Sequence, residues 1–489
     1  MKMGKQINLF ILSILILSSF TFSGCATNPV SGKQDFVLMS EAQEINLGKQ
    51  ANQQVMQQYR AYNDPALQSY VDVIVEELGQ KSHRSNLVYH VTVLDSPEVN
   101  AFALPGGYLY ITRGIMAYMN SEAELAGVLG HEIGHVTARH GVRQQSAGTV
   151  AGILGAGVGI LTGSSAASQA ANIGGTALIR GYGRNHELEA DRLGAEYLAR
   201  VGYDPEEMLK VVEILKDQED YDKQLAKEEG REPRAYHGTF STHPANDTRL
   251  QEVIRAANKF KTPVTRESNS EKFLQLMDGV VVGNSEKDGI LRNNNFYHND
   301  LDLFIAFPEG WKVDNLPDRL IAQPKTGDAE LQILIDDLNK RQSPQEYLNE
   351  KFKGQISKGQ VLQTTNFQGY TGLTTINTQQ GKVPSRVAAV FQDKRVYLVL
   401  VAAKDSNVLS KYDAAGLDTI KSMRQLKNSE VQLAKPKHIK LIRAKSGDTF
   451  ASLAKKTDIA NHAEEQLRLL NGMYPDGQPK PGQLIKIVQ

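Results

Sequence analysis

His131, Glu132 and His135 stand as H-E-x-x-H within VLGHEIGHVTARH (128–140), a stretch that also holds His140. It gathers three of the chain's 11 histidines into thirteen positions. On a helix, residues four apart lie one above the other, so His131 and His135 present two imidazoles to one point with Glu132 alongside. Two neutral imidazoles suit Zn²⁺, and the carboxylate between them is placed to take a proton from the water that attacks a carbonyl. The chemistry expected is metal-assisted hydrolysis. The bland alternative is a capped surface helix that happens to be rich in histidine.

Zinc needs a third protein ligand. His140 is near, but in the metzincin pattern H-E-x-x-H-x-x-G-x-x-H the third ligand would fall at 141 and the glycine at 138, where this chain has Gly141 and Ala138. His140 reads better as a favourable cation at a helix C-terminus. Farther on, RNHELEADRLGAEYL (184–198) reads as a second helix in which Glu187 and Asp191 share a face at i, i+4. Glu187 can supply the third ligand, and Asp191 can accept the second N–H of a ligating histidine and fix its tautomer. Glu189, Arg192 and Glu196 would equally suit a charged solvent face.

The elements that must position these groups are readable nearby. Ser121 and Glu124 form an S-x-x-E capping box, Leu129, Ile133 and Val136 an apolar stripe, and Gly141 a left-handed stop, so the H-E-x-x-H spacing falls on a helix. Just before it, Gly106 and Gly107 read as a turn and Tyr108 to Thr112 as a short strand. At a sheet edge such a strand would bind an extended polypeptide through main-chain bonds; otherwise it is an ordinary internal strand.

NAFALPGGYLYITRGIM (100–116), HEIGH, ELEAD and STHPANDTRL (241–250), in that order, resemble the HtpX and CAAX-prenyl-protease superfamily of gluzincin metallopeptidases, and within it the BepA-type periplasmic lipoproteins. The resemblance covers about residues 26–260. It implies one Zn²⁺ per chain held by His131, His135 and Glu187, with Glu132 as general base and Asp191 behind a ligand. It also implies that His243 and Arg249 lie over the metal. There they would stabilise a tetrahedral oxyanion or, in a latent form, fill zinc's open position.

Lys2 and Lys5 precede an apolar run from Leu9 to Phe22, too short to span a bilayer but suited to a signal peptide over 1–24. The run ends in FSGC, which resembles a bacterial lipobox. Cys25 is the only cysteine, so no disulfide framework accounts for it and lipidation does. A lipid anchor at Cys25 is expected, ahead of simple secretion or an uncleaved anchor, and Ala26, by resemblance to sorting signals, points to the periplasmic face of the outer membrane. Lys and Arg together number 55 against 55 for Asp and Glu, a balance that gives no footing to a nucleic-acid or polyanionic partner. Residues 144–179 form an uncharged run of 36 with eight glycines. SSAASQAAN (164–172) is too polar for a good span, which favours helices flanking the site over a membrane hairpin.

The whole reads as an α+β multidomain chain. A mainly helical metallopeptidase over 25–262 carries a small sheet; GYDPEEMLKVVEIL is one of its helices and Lys223 to Arg234 a charged loop. From 263 to 433 the texture becomes strands (DLFIAFPEGWKV, AELQILI, and a hairpin turning at Asp393 and Lys394) and helices at 343–357 and 412–424. This second α+β domain has no catalytic constellation, and its Trp311 reads as core. Residues 434–489 resemble a β-α-α-β LysM module, carried by Gly447-Asp448-Thr449, Asn471 and Pro481-Gly482. Such modules bind N-acetylglucosamine polymers, so 439–489 is expected either to hold peptidoglycan or to serve as a packing module on its neighbour.

Two functions compete: a zinc endopeptidase that degrades misfolded or stalled envelope proteins, with polypeptides as substrates, and a non-catalytic envelope chaperone or peptidoglycan-tethered scaffold on the same fold. Glu132 beside three ligands favours the first, since a scaffold has no use for a general base beside a metal.

Overall fold

The structure, a computed structural model, describes residues 25–149, 183–231, 233, 247–260, 263–316, 319–363, 366–378 and 381–489. Two compact units emerge, one made of the chain up to Val280 together with His438–Gln489, the other of Val281–Lys437. The second unit thus begins later than the expected boundary at 263. Helix Ser270–Met277 buries Phe273, Leu274 and Met277 and packs on the motif helix of the first unit. The backbone then ties to the C-terminal module through Gly279 N–H to Ile439 O and Ile439 N–H to Val280 O, both 2.8 Å.

The motif helix is Glu122–Thr137, and every residue in it is buried. Ser121 caps it as expected, its hydroxyl accepting from Glu124 N–H at 3.1 Å, while the Glu124 carboxylate takes the N–H of Asn120 instead of the cap residue's own. Glu122 anchors the same end, accepting from the Tyr70 and Tyr203 hydroxyls, from Arg266 at 2.9 Å and from Asn269 at 2.7 Å. The expected stop at Gly141 is displaced. The left-handed residue is Arg139 (φ 56°), and Gly141 lies inside a following helix over 140–149. A non-glycine residue there costs roughly 1–2 kcal/mol. Arg139 offsets it by ion-pairing with buried Glu44 at 2.9 Å and donating to Met39 O at 3.3 Å.

Strands His90–Leu94, Tyr108–Thr112 and Ala101–Leu104 form a sheet in that spatial order. Tyr108–Thr112 is therefore the central strand, parallel to the first and antiparallel to the third, which decides for the internal strand over the edge. The turn at Gly106 (φ 77°) and Gly107 (φ 92°) folds Ala101–Leu104 back along it and makes that segment an outer strand. On the other side His90–Leu94 is backed by further chain, with Tyr62 N–H bonding to Val93 O at 2.8 Å.

Helix Arg184–Arg200 packs along the motif helix, and small residues set how closely. A Cβ on Gly134 would stand 3.1 Å from Leu193 Cβ and 3.2 Å from the Ala190 backbone; one on Gly194 would stand 3.2 Å from His131 N. Side-chain size at the contact fixes interaxial distance, so these glycines bring Glu187 and Asp191 within reach of the histidines. The next helix, Glu207–Glu229, runs through most of the expected charged loop at 223–234.

The C-terminal module has the expected β-α-α-β order: Lys437–Arg443, Phe450–Ala454, Ala463–Leu470 and Leu484–Val488, its strands antiparallel around Phe450, Leu453, Leu467, Ile485 and Ile487. It packs on the peptidase domain. Fully buried Lys486 donates to Ala117 O at 2.6 Å and Met119 O at 2.7 Å, the carbonyls that lead into the motif helix. Burial pushes this amine down to about 7, with Glu124 opposing. A neutral amine keeps two N–H donors, one for each carbonyl.

The other unit holds a seven-stranded antiparallel sheet and a three-stranded one made of Ile290–Arg292, Asn295–His298 and Leu303–Ala306. Its hairpin Gly381–Gln392 and Arg395–Ala403 turns at Asp393 (φ 53°), and helix Ser406–Ser422 covers a core that includes Trp311. Among the described residues no helix is long and apolar enough to cross a membrane. Most of the uncharged stretch, 150–179, lies outside them.

Candidate metal centre

His131 and His135 point the same way from the motif helix, with Nε2 atoms 3.0 Å apart. Glu187, at the N-terminal end of its helix, brings Oε2 to 3.5 Å from His131 Nε2 and Oε1 to 3.5 Å from His135 Nε2. The three form a metal-sized cluster, all of it buried. A tetrahedral zinc with bonds of about 2.0–2.1 Å sets its ligand atoms about 3.3 Å apart, so two imidazoles and a carboxylate at these spacings fit the ion in both chemistry and geometry. Glu132 lies one residue from His131 on the same helix and is 2 % exposed.

Each ligating ring is held from behind. His131 Nδ1 lies 2.9 Å from Asp191 Oδ1, as expected of a carboxylate that fixes the tautomer. Burial alone would lower the His131 pKa, but Asp191 and Glu187 outweigh it and raise it to about 9. Burial would likewise raise Asp191; the Arg249 guanidinium overcomes this and holds the carboxyl below the usual range.

Arg249 reaches the site through two carboxylates. Its Nε and one terminal nitrogen donate to the two Asp191 oxygens at 2.7 and 2.6 Å, and the other terminal nitrogen is 3.6 Å from Glu187 Oε2. Two carboxylates in so buried a spot need a countercharge, and the guanidinium supplies it. Two of its nitrogens thus hold Asp191, and the third faces the Glu187 carboxylate. His243 lies outside the described residues.

His140 is neither ligand nor helix-end cation. It is fully buried, and burial lowers its pKa. Its Nδ1 is 2.8 Å from His135 Nδ1, its Nε2 is 3.0 Å from Glu189 Oε2, and its ring stacks on His186 at 4.2 Å. Glu189 also meets Arg143 at 3.2 Å; the hydrogen bond from His140 leads the effects that hold its carboxyl down to about 2. Glu189 was read from the sequence only as a possible solvent charge. The signal available was its place midway between Glu187 and Asp191 on the same helix, coupled with a third histidine at 140 close to the motif.

Residues 65–257 match the profile of Peptidase family M48, and residues 442–488 that of the LysM domain. The chain is 29 % identical over 286 residues to the beta-barrel assembly-enhancing protease of Yersinia pestis, covering 54 % of this chain and 56 % of that one. It is 31 % identical over 264 residues to the protein of the same name from Escherichia coli (strain K12), covering 51 % and 50 %. With the mitochondrial metalloendopeptidase OMA1 of Saccharomyces cerevisiae it shares 25 % over 257 residues, 49 % of this chain and 70 % of the relative. The chain thus spans about half the length of the first two curated relatives. Around the His131, His135 and Glu187 cluster, then, the chain carries a region that matches Peptidase family M48, and at its C-terminal end a region that matches the LysM domain.

Proposed function

We propose that the chain is a zinc endopeptidase of the bacterial envelope that hydrolyses peptide bonds of misfolded or stalled envelope proteins. The observation that carries this reading is the convergence of His131, His135 and Glu187 beside a buried Glu132. When bound there, zinc would supply Lewis acidity to water and to the scissile carbonyl. Glu132 takes the proton of the attacking water and delivers it to the departing amine. His131, His135 and Glu187 are the ligands, and Asp191 holds the His131 ring. His243 is assigned to the site by resemblance alone. A polypeptide joined by strand addition would lie along the outer strand Ala101–Leu104, where main-chain bonding gives affinity with little sequence preference. Purified protein with one equivalent of zinc is expected to cleave casein, to stop when a chelator strips the metal, and to recover when zinc returns. Zinc-loaded protein that leaves casein intact would favour the scaffold.

Location belongs to the same proposal: a lipid at Cys25 on the periplasmic face of the outer membrane, and peptidoglycan held through 439–489. Cys25→Ser is expected to leave the outer-membrane fraction, because the acylated cysteine is the strong membrane signal in the sequence, and still to co-sediment with peptidoglycan. Signal-cleaved Cys25→Ser that stays membrane-bound rules out the anchor, and loss of co-sedimentation rules out the glycan role.

A further inference from the structure

We infer that His140 and Glu189 form a positioning pair that sets the proton and the orientation of the metal ligand His135. The inference rests on the zinc reading above, but uses groups outside the ligand set. A ring that offers Nε2 to a metal carries its one proton on Nδ1. His140 Nδ1 lies 2.8 Å from His135 Nδ1 and must accept from it. A neutral His140 that accepts at Nδ1 carries its own proton on Nε2, and that atom faces Glu189 Oε2 at 3.0 Å. The donors then run one way: His135 to His140, His140 to Glu189, with Arg143 donating to Glu189 from the far side. Reversing the first link would put the His135 proton on Nε2, the atom that is to meet the metal, and reversing the second would set the His140 and His135 Nδ1 protons against each other.

The two ligand histidines are thus held differently. His131 meets a carboxylate directly; His135 meets a neutral ring that relays to a carboxylate beyond. Charge explains the difference. Glu132, Glu187 and Asp191 already place three carboxylates about the site, with Arg249 as the countercharge bonded to Asp191. A fourth carboxylate against His135 would crowd negative charge into a buried space, where unpaired charge is costly. Inserting His140 moves the acidic end outward to Glu189, whose side chain is 23 % exposed and within reach of Arg143. His186 stacked on His140 fixes the plane of the relay ring.

The test is zinc affinity, measured by competition with a chelator of known strength on metal-free protein, beside the unfolding temperature of the same metal-free samples. Outer partners of ligating histidines typically contribute about 10–100-fold in metal affinity. His140→Phe, which fills the space and cannot accept, is expected to weaken zinc by that factor. His140→Gln, which fills less well but offers an acceptor, is expected to recover most of it. Glu189→Met, at a partly exposed position, is expected to fall between. A role in packing alone predicts the opposite order, Phe better than Gln, and that order would overturn the inference. So would wild-type affinity in both His140→Phe and Glu189→Met. Wild-type protein that binds no zinc overturns the metal reading itself, a result distinct from either.

Discussion

Glu132→Gln is expected to keep one zinc per chain and to lose at least about 100-fold in peptide hydrolysis, or about 2.7 kcal/mol of transition-state stabilisation. The amide has the shape of the carboxylate and fits the same buried position on the motif helix, where the side chain is 2 % exposed. It cannot take a proton from water, so the nucleophile is left at its weak neutral form. The proposed ligands are untouched, since the cluster able to hold the metal is His131, His135 and Glu187. Zinc content and casein cleavage measured on one preparation separate the two effects. Loss of zinc would make Glu132 part of the metal's support, and retained cleavage at full zinc would move the general base elsewhere.

What the sequence reveals here follows the range of the interactions. H-E-x-x-H and the Glu187 and Asp191 pair are local patterns on helices, and spacing alone puts each pair on one face. The Ser121 cap is equally local, and so is the hairpin at Asp393. Sheet order is not: whether Tyr108–Thr112 is central or outer depends on His90–Leu94 arriving from upstream, which its own alternation does not encode. The helix stop fails for a similar reason. Gly141 is the better left-handed residue by propensity, but Glu44, far away in sequence, makes Arg139 the turning point. A change of two residues in where the helix stops also decides where His140 points, and with it the difference between an end cation and a relay ring. Lys486 misleads by type. Lysine is ordinarily solvated, and only the docked module shows it as a plug under the carbonyls of Ala117 and Met119.

Arg249→Met is expected to have the largest effect on stability, because it strands two buried carboxylates at once. Arg249 is 1 % exposed, Asp191 0 % and Glu187 1 %. Removing one member of a buried ion pair costs about 3–5 kcal/mol, mostly the penalty of leaving the other charge uncompensated. The loss should appear as a lower unfolding temperature of the peptidase domain and, with Asp191 no longer fixed against His131, as weaker zinc binding. Two controls make the cause visible. Adding Asp191→Asn to Arg249→Met removes the stranded charge and should restore part of the unfolding temperature, a coupling that independent losses of packing would not give. Saturating zinc should also raise the unfolding temperature of Arg249→Met, because an ion that binds only the folded state stabilises it. If Arg249 instead meets the oxyanion, the pattern inverts: Arg249→Met keeps its unfolding temperature and zinc affinity while the rate at saturating substrate falls by about 10²–10³. The bidentate grip on Asp191 at 2.7 and 2.6 Å argues for the first outcome, since those two nitrogens cannot leave a buried carboxylate to meet a transient charge without stranding it.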